Sequence, residues 1–164
     1  SFDRAREQTA SEEAGRGEPV RIYLDTEFNG HGGDLISIAL VDENGHAFYG
    51  VCEPPMDVHP WVAEHVMPIV YKPPFHQCLM GDDMKRGFHQ FLLQRPGAEV
   101  YADWPADFAH FMNLMAGDTF EQAVNWQGTL HLIQTPPGEP RPLVPHNALS
   151  DAYALMVWHG GIAQ

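Results

Sequence analysis

Six side chains carry the chemistry this sequence can do, and they fall into three short runs. Asp25 and Glu27 lie in YLDTEF, Asp103 and Asp107 in ADWPAD, and His146 and Asp151 in HNALSD. Successive side chains of an extended chain point to opposite faces, so Asp25 and Glu27, two residues apart, point the same way. Paired carboxylates repel and cost desolvation, so a chain that places them together needs a cation for them. Inward-leaning carboxylates on several elements suit two hard, oxygen-ligated cations about 3.5–4 Å apart, which neutralise the acids and clamp a scissile phosphate. Phosphodiester hydrolysis also needs an activated water, and a neutral histidine beside the cations is a suitable general base. Taken singly, each run reads as a solvated strand end or a helix N-terminus. Their joint occurrence, in this order and on these elements, reads as a site.

The elements that must position these residues are legible from periodicity. VRIYLDTEF alternates: Val20, Ile22 and Leu24 face one way, and Arg21, Tyr23, Asp25 and Glu27 the other. NGHGGD is a loop, LISIALV a strand buried on both faces, and DENG a hairpin whose Asn44-Gly45 suits a type I′ turn, with HAFYGVC returning antiparallel. A loop-rich section follows, holding one short helix around Trp61 to Met67 that Pro68 ends. Asp82 or Asp83 caps a helix MKRGFHQFLLQR; next come a strand EVYA, a helix PADFAHFMNLMA, a strand within WQGTLHLIQT, and a helix from about Asn147 to His159. In PADFAHFMNLMA the core stripe is Phe108, Phe111, Met112 and Met115. Asp107 sits at its edge in the first turn, where a carboxylate suits the helix dipole. Asp151 neighbours Ala148 and Leu155 on its helix and so faces inward.

This order predicts an α/β fold with helices on both faces of a mixed five-stranded sheet, an antiparallel three-strand meander continued by parallel strands. Among such sheets the ribonuclease-H-like arrangement comes first, with Asp25 at the end of the central strand. Residues 1–18 are small, polar and charged and read as a flexible N-terminal arm, leaving 19–164 as one domain.

Together DTEF, ADWPAD and HNALSD resemble the three motifs of the DEDDh 3′-to-5′ exonucleases, the spacing of His146 to Asp151 matching that family's HxxxxD signature. More specifically, IYLDTEF, LISIALVDENGHAFYGV and HPWVAEHVMP resemble the ribonuclease AS group of small exoribonucleases, which trim adenylate-rich RNA ends. The resemblance runs from about residue 21 to 158. It implies a 3′-to-5′ exonuclease that uses two Mg2+ or Mn2+ ions on single-stranded nucleic acid, with RNA preferred to DNA, and releases nucleoside 5′-monophosphates. It further implies that Asp25, Glu27 and Asp151 hold one metal, that Asp25 bridges to the second, that Asp107 holds the second through water, and that His146 deprotonates the attacking water. Asp103 stands where many relatives have asparagine, and so is an alternative ligand or a neighbour of the metal shell. A homodimer is the implied assembly. The rivals are a DNA exonuclease of the same chemistry and a catalytically silent nucleic-acid-binding module. A zinc protein fits less well because the ligands are oxygen donors.

Thr26, Phe28, Trp104 and His31 are the candidate substrate contacts. Phe28, Trp104 and Trp61 offer flat faces for terminal bases, whereas Trp126 reads as core. A formal net charge of −13 argues against a broad, sequence-independent grip on duplex phosphate, which needs a basic stripe, but not against a short strand held through cations. Arg21, Lys72, Lys85 and Arg86 read as surface charges. The ten histidines are scattered without HxH or HExxH spacing, so most are ordinary. Cys52 and Cys78 lack metal spacing and read as reduced packing residues. With no run of about 18 apolar residues and no signal-peptide pattern, the expected location is the cytoplasm, away from membranes.

Overall fold

The alternating run at Arg21 becomes the strand around which everything else is arranged. The computed structural model of the chain describes residues 17–71 and 78–162. The elements in chain order are β1 (Arg21–Phe28), β2 (Leu35–Asp42), β3 (Ala47–Val51), α1 (Pro60–His65), β4 (Leu79–Met80), α2 (Gly81–Leu93) and β5 (Glu99–Ala102). Then follow α3 (Pro105–Ala116), a single 3-10 turn at Phe120–Gln122, β6 (Thr129–Leu132) and α4 (Ala148–Ile162). Most of the expected arm, residues 1–16, lies outside the described residues, as does Lys72.

The strands form one mixed sheet in the order β4-β3-β2-β1-β5-β6. β1, β2 and β3 are an antiparallel meander, while β5 runs parallel to β1 and β6 parallel to β5. The sheet therefore has six strands rather than the five expected. The extra one is β4, two residues paired parallel to the end of β3 at Gly50↔Leu79 and Val51↔Met80, too short to leave an alternation signal. The hairpin also differs from expectation. Gly45 N–H donates to the Asp42 carbonyl at 2.9 Å and Asp42 N–H to the His46 carbonyl at 2.8 Å. Gly45 has φ 87°, whereas Asn44 is not among the residues with positive φ. The loop is thus three residues with glycine in the left-handed position, not a type I′ turn, which would need positive φ at two central residues.

The sheet separates two apolar layers. On one face Ile22, Leu24, Ile38, Leu40 and Val100 pack under α2 and α3 through Phe88, Phe91, Leu92 and Phe111, joined by Trp126 from the segment before β6. On the other, Ile36, Ala39, Val41, Tyr49 and Val51 pack under α1 and α4 through Val62, Val66, Ala148, Leu149 and Ala152. β2 is buried along nearly its whole length because both layers use it. Gly50 lets α2 lie close on β3, since a Cβ there would meet Met84 Cγ at 2.3 Å.

Helix ends follow local chemistry, with two departures from expectation. α2 starts at Gly81, which puts Asp82 and Asp83 inside the first turn; they favour the helix dipole without capping it. On α3, Met112 points to solvent and Leu114 packs against the core in its place, with Phe108 and Met115 partly buried as expected. α3 runs from Pro105, a residue whose missing N–H costs nothing at a first helical position, to a stop at Gly117 with φ 66°. α4 is capped by Asn147, whose Oδ1 accepts from the Ser150 N–H at 3.1 Å. Asn147 also donates to the Ile69 carbonyl at 3.2 Å, which ties the start of α4 to the turn after α1. No helix among the described residues is long and apolar enough to cross a membrane.

Candidate active site

The C-terminal half of β1 lies between β2 and the parallel strand β5, and α4 crosses over its face. Asp25 and Glu27 project on that face, where Asp151, one turn into α4, meets them. One carboxylate oxygen from each of Asp25, Glu27 and Asp151 lies within 4.8 Å of the others. A second trio, Asp25, Asp103 and Asp107, is equally tight. Among the described residues these are the two groups of three or more His, Cys, Asp or Glu that could hold a metal ion, and Asp25 belongs to both. Asp103 follows directly on β5 and Asp107 lies in the first turn of α3, so the parallel β1–β5 pairing delivers the second trio to the same strand ends.

Asp107 is 2% exposed, and its Oδ1 accepts from the Thr26 hydroxyl at 2.6 Å and the Thr26 backbone N–H at 3.2 Å. Its Oδ2 and the Oδ2 of Asp25 are buried without a hydrogen-bond partner. Such orphaned acceptors are costly unless a cation or proton reaches them. Burial first, then the charges of Asp107, Asp151, Glu27 and Asp103, raise Asp25 well above the ordinary carboxylate range. Glu27 is pushed up to about 9 by burial, by the Asp151 charge and by a side-chain hydrogen bond to Asp151. Asp107 is raised to about 7 by burial and the Asp103 charge, against the pull of the Thr26 hydrogen bonds. Asp151 reaches about 7 through burial, offset by its hydrogen bonds with Glu27 and the His146 backbone. Asp103 is raised by burial, with Thr135 hydrogen bonding against the shift. Without a cation, the cluster holds together by keeping protons.

His146 stands just before α4 with φ 65°, a left-handed conformation that histidine tolerates better than most residues. It lines a cavity of about 250 Å³ together with Asp25, Asp103, Asp151, Glu139 and three prolines of the preceding loop. The expected base therefore shares one opening with Asp25, Asp103 and Asp151, while Asp107 is buried beneath them. A neighbouring cavity of about 400 Å³ is lined by Glu27, Phe28, His31, His59, Trp61 and Trp104. Phe28, Trp104 and His31 are thus brought to one wall beside the acids, and Phe28 is backed by the His110 ring at 5.2 Å. Thr26 is turned away from this cavity; it is 5% exposed and its hydroxyl bonds to Asp107. Trp126 belongs to the core, as read from the sequence.

Among the described residues the basic side chains pair with surface or core acids and form no track to the site. Arg21 pairs with Glu43 at 3.1 Å, Lys85 with Asp118 at 3.7 Å, and Arg86 with Asp83. Cys52 and Cys78 are free thiols, and burial pushes both up. Sequence reasoning missed Thr135 behind Asp103, Glu139 at the cavity rim and the contact of Trp61 with His146; none leaves a spacing signal, because Thr135 and Glu139 come from a loop and Trp61 from a six-residue helix. A larger cavity of about 690 Å³ on the outer side of α4 is lined mainly by Leu143, Tyr153, Ala154, Val157 and Trp158 and includes none of the six residues. No protein-family model matches the chain, and no curated protein matches it.

Proposed function

We propose that this protein is a divalent-cation-dependent 3′-to-5′ exonuclease of the DEDDh class on a ribonuclease-H-like fold. It would remove nucleoside 5′-monophosphates from single-stranded RNA ends. The observation that carries the reading is the double membership of Asp25, shared by two carboxylate trios with His146 on the same cavity. The strand order, a meander extended by two parallel strands beside β1, supports the fold assignment. The orphaned oxygens of Asp25 and Asp107 and the all-oxygen donor set suit Mg2+ or Mn2+. When bound, two such cations would offset the acid charges and stabilise the charge that develops on the phosphate oxygens.

The chain's own residues supply the rest. Asp25, Asp103 and Asp151 border the cavity where a scissile phosphate would lie, and the buried Asp107 stands within metal-sharing distance of Asp25 and Asp103. His146 accepts the proton of the attacking water on its imidazole nitrogen, a general-base role that contributes roughly 10²–10⁴-fold. Phe28, Trp61 and Trp104 receive the terminal base, so an unpaired strand fits where a duplex does not. Because the net charge is −13, the substrate is held at its end and not along a basic surface. The preference for RNA follows the motif resemblance.

The test is a time course on 5′-labelled single-stranded RNA and matched DNA with Mg2+ or Mn2+, comparing wild type with Asp25→Asn. Metal-dependent laddering from the 3′ end that the variant lacks supports the reading. No shortening of either strand, with cations bound, overturns it in favour of a silent binding module.

A further inference from the structure

The aromatic cavity and the acid cavity meet at a pair of touching rings. Trp61 lines the first with Phe28 and Trp104, while His146 lines the second. The Trp61 indole meets the His146 imidazole edge to face, with ring centroids 4.9 Å apart and planes at 82°. Behind it, the His65 ring stacks on the indole at 4.5 Å and 14°, and His65 Nδ1 lies 2.8 Å from the Trp61 carbonyl. The Trp61 backbone N–H donates to His59 Nδ1 at 3.3 Å. α1 thus grips the tryptophan from its own helix and offers the ring to His146.

His146 needs such a neighbour. It is exposed, and its left-handed backbone follows a proline-rich loop rather than a rigid element. An exposed side chain samples rotamers freely unless something restricts it. The centroid of the His65 ring is 6.2 Å from that of His146, so the direct restraint comes from Trp61. Trp61 itself is 45% exposed, and its open surface is the one a base in the aromatic cavity would cover.

We propose that Trp61 is a positioning residue that ties occupancy of the aromatic cavity to the placement of the His146 imidazole. This deepens, and rests on, the exonuclease reading. A base stacked in the cavity immobilises the indole, and the indole holds the imidazole over the acid cavity, so the general base is aligned when a strand end is seated. An edge-to-face pair biases a rotamer equilibrium by roughly 2- to 12-fold. The loss on removing Trp61 is therefore smaller than the loss of the base itself.

The experiment reads the imidazole directly. His146 nitrogen and proton resonances, assigned by their absence in His146→Gln, are recorded for wild type, Trp61→Ala and Trp61→Phe. Each is measured with and without adenosine 5′-monophosphate and Mg2+, alongside kcat and KM on single-stranded RNA. The expected result is that the nucleotide moves the His146 resonances in wild type and Trp61→Phe but not in Trp61→Ala. In Trp61→Ala kcat falls about tenfold, with Trp61→Phe recovering most of it. His146 resonances that ignore the nucleotide in wild type, or respond equally in Trp61→Ala, overturn the inference. A rise in KM alone with kcat intact also overturns it, reducing Trp61 to a binding surface. A wild type that shortens no RNA while its His146 resonances behave as expected overturns the exonuclease reading and leaves the positioning contact standing.

Discussion

Asp42 and Asp107 are buried to the same degree, each 2% exposed, and the protein treats them in opposite ways. Asp42, at the end of β2, accepts from Arg95 at 2.9 and 3.0 Å, from the backbone N–H groups of Asn44 and His46 at 2.9 Å each, and faces His46 Nδ1 at 3.1 Å. Burial pushes it up, but the His46 backbone and Arg95 outweigh that and hold the carboxyl below its usual range. Asp107 has Thr26 on one oxygen and nothing on the other, and is raised to about 7. A carboxylate that serves the fold comes with its cation built in. Among the described residues the acids at the end of β1 have no such partner, and that shortage of positive charge is what the proposed cation site would make good.

Changing the acids themselves separates the two regions most sharply. Asp25→Asn is expected to slow RNA shortening by about 10²–10³-fold, the scale of removing one electrostatic stabiliser of a transition state. Its metal-free melting temperature is expected to exceed the wild type's already near pH 6 and by more at higher pH, because the folded wild type must keep a proton on Asp25 that its unfolded chain has released, whereas the amide needs none. Loss of stability together with activity would place Asp25 with Asp42, as a residue of the fold. Asp42→Asn should do the reverse. It strands the Arg95 guanidinium, which is 13% exposed on its side chain and stacked on Phe91 at 3.7 Å. A loss of about 2–3 kcal/mol is expected by urea melt, with kcat unchanged in the folded protein. A drop in kcat would break the comparison.

The two regions also titrate with opposite sign. Asp42 is depressed in the folded state, so its contribution is present above the ordinary carboxylate range and is lost as pH falls through its lowered value. Asp25, Glu27, Asp107 and Asp151 are raised, Glu27 to about 9 and the two aspartates Asp107 and Asp151 to about 7. The native state then holds protons that the unfolded chain has released, so the metal-free protein loses stability from about pH 4 up to about pH 9. Scanning calorimetry should show that slope without cations, and Mg2+ in excess should flatten it, adding about 2.7 kcal/mol at a hundred times its Kd. A slope unchanged by Mg2+ and Mn2+ would mean that the cluster is proton-held and not cation-held.

How much of this was legible in the sequence depended on how local the signal was. Asp25 and Glu27 could be placed on one face because period-two alternation needs only β1 itself. α3 runs over the expected residues because Pro105 and Gly117 mark its ends in the chain. β4 could not be seen, since two residues carry no period and exist as a strand only by pairing with β3. The hairpin was misread because Asn-Gly suits two loops, and the handedness of Asn44 is decided by the register of β2 on β3. Met112 and Leu114 exchanged roles because helical spacing identifies a stripe but not its angle to the sheet. Trp61, Thr135 and Glu139 come to the site from loops and short helices, where tertiary packing alone decides what they touch.

The finest test concerns the one partner that Asp107 does have. The Thr26 hydroxyl at 2.6 Å stabilises the charged form of Asp107, and the same buried oxygen would otherwise be left with a single backbone donor at 3.2 Å. Thr26→Val keeps the shape of the side chain and removes the donor, so Asp107 should rise further above about 7. At neutral pH a proton then competes harder for the carboxylate, and Mn2+ affinity measured by calorimetric titration should fall by roughly tenfold, as when a supporting partner of a ligand is lost. By pH 8.5 the competition fades and the variant should approach wild type. Asp42 has no tie to Thr26, so the low-pH limb of the stability profile should not move. Equal affinity at both pH values would mean that Asp107 does not meet the cation, and that its buried, half-partnered carboxylate is held for the fold after all.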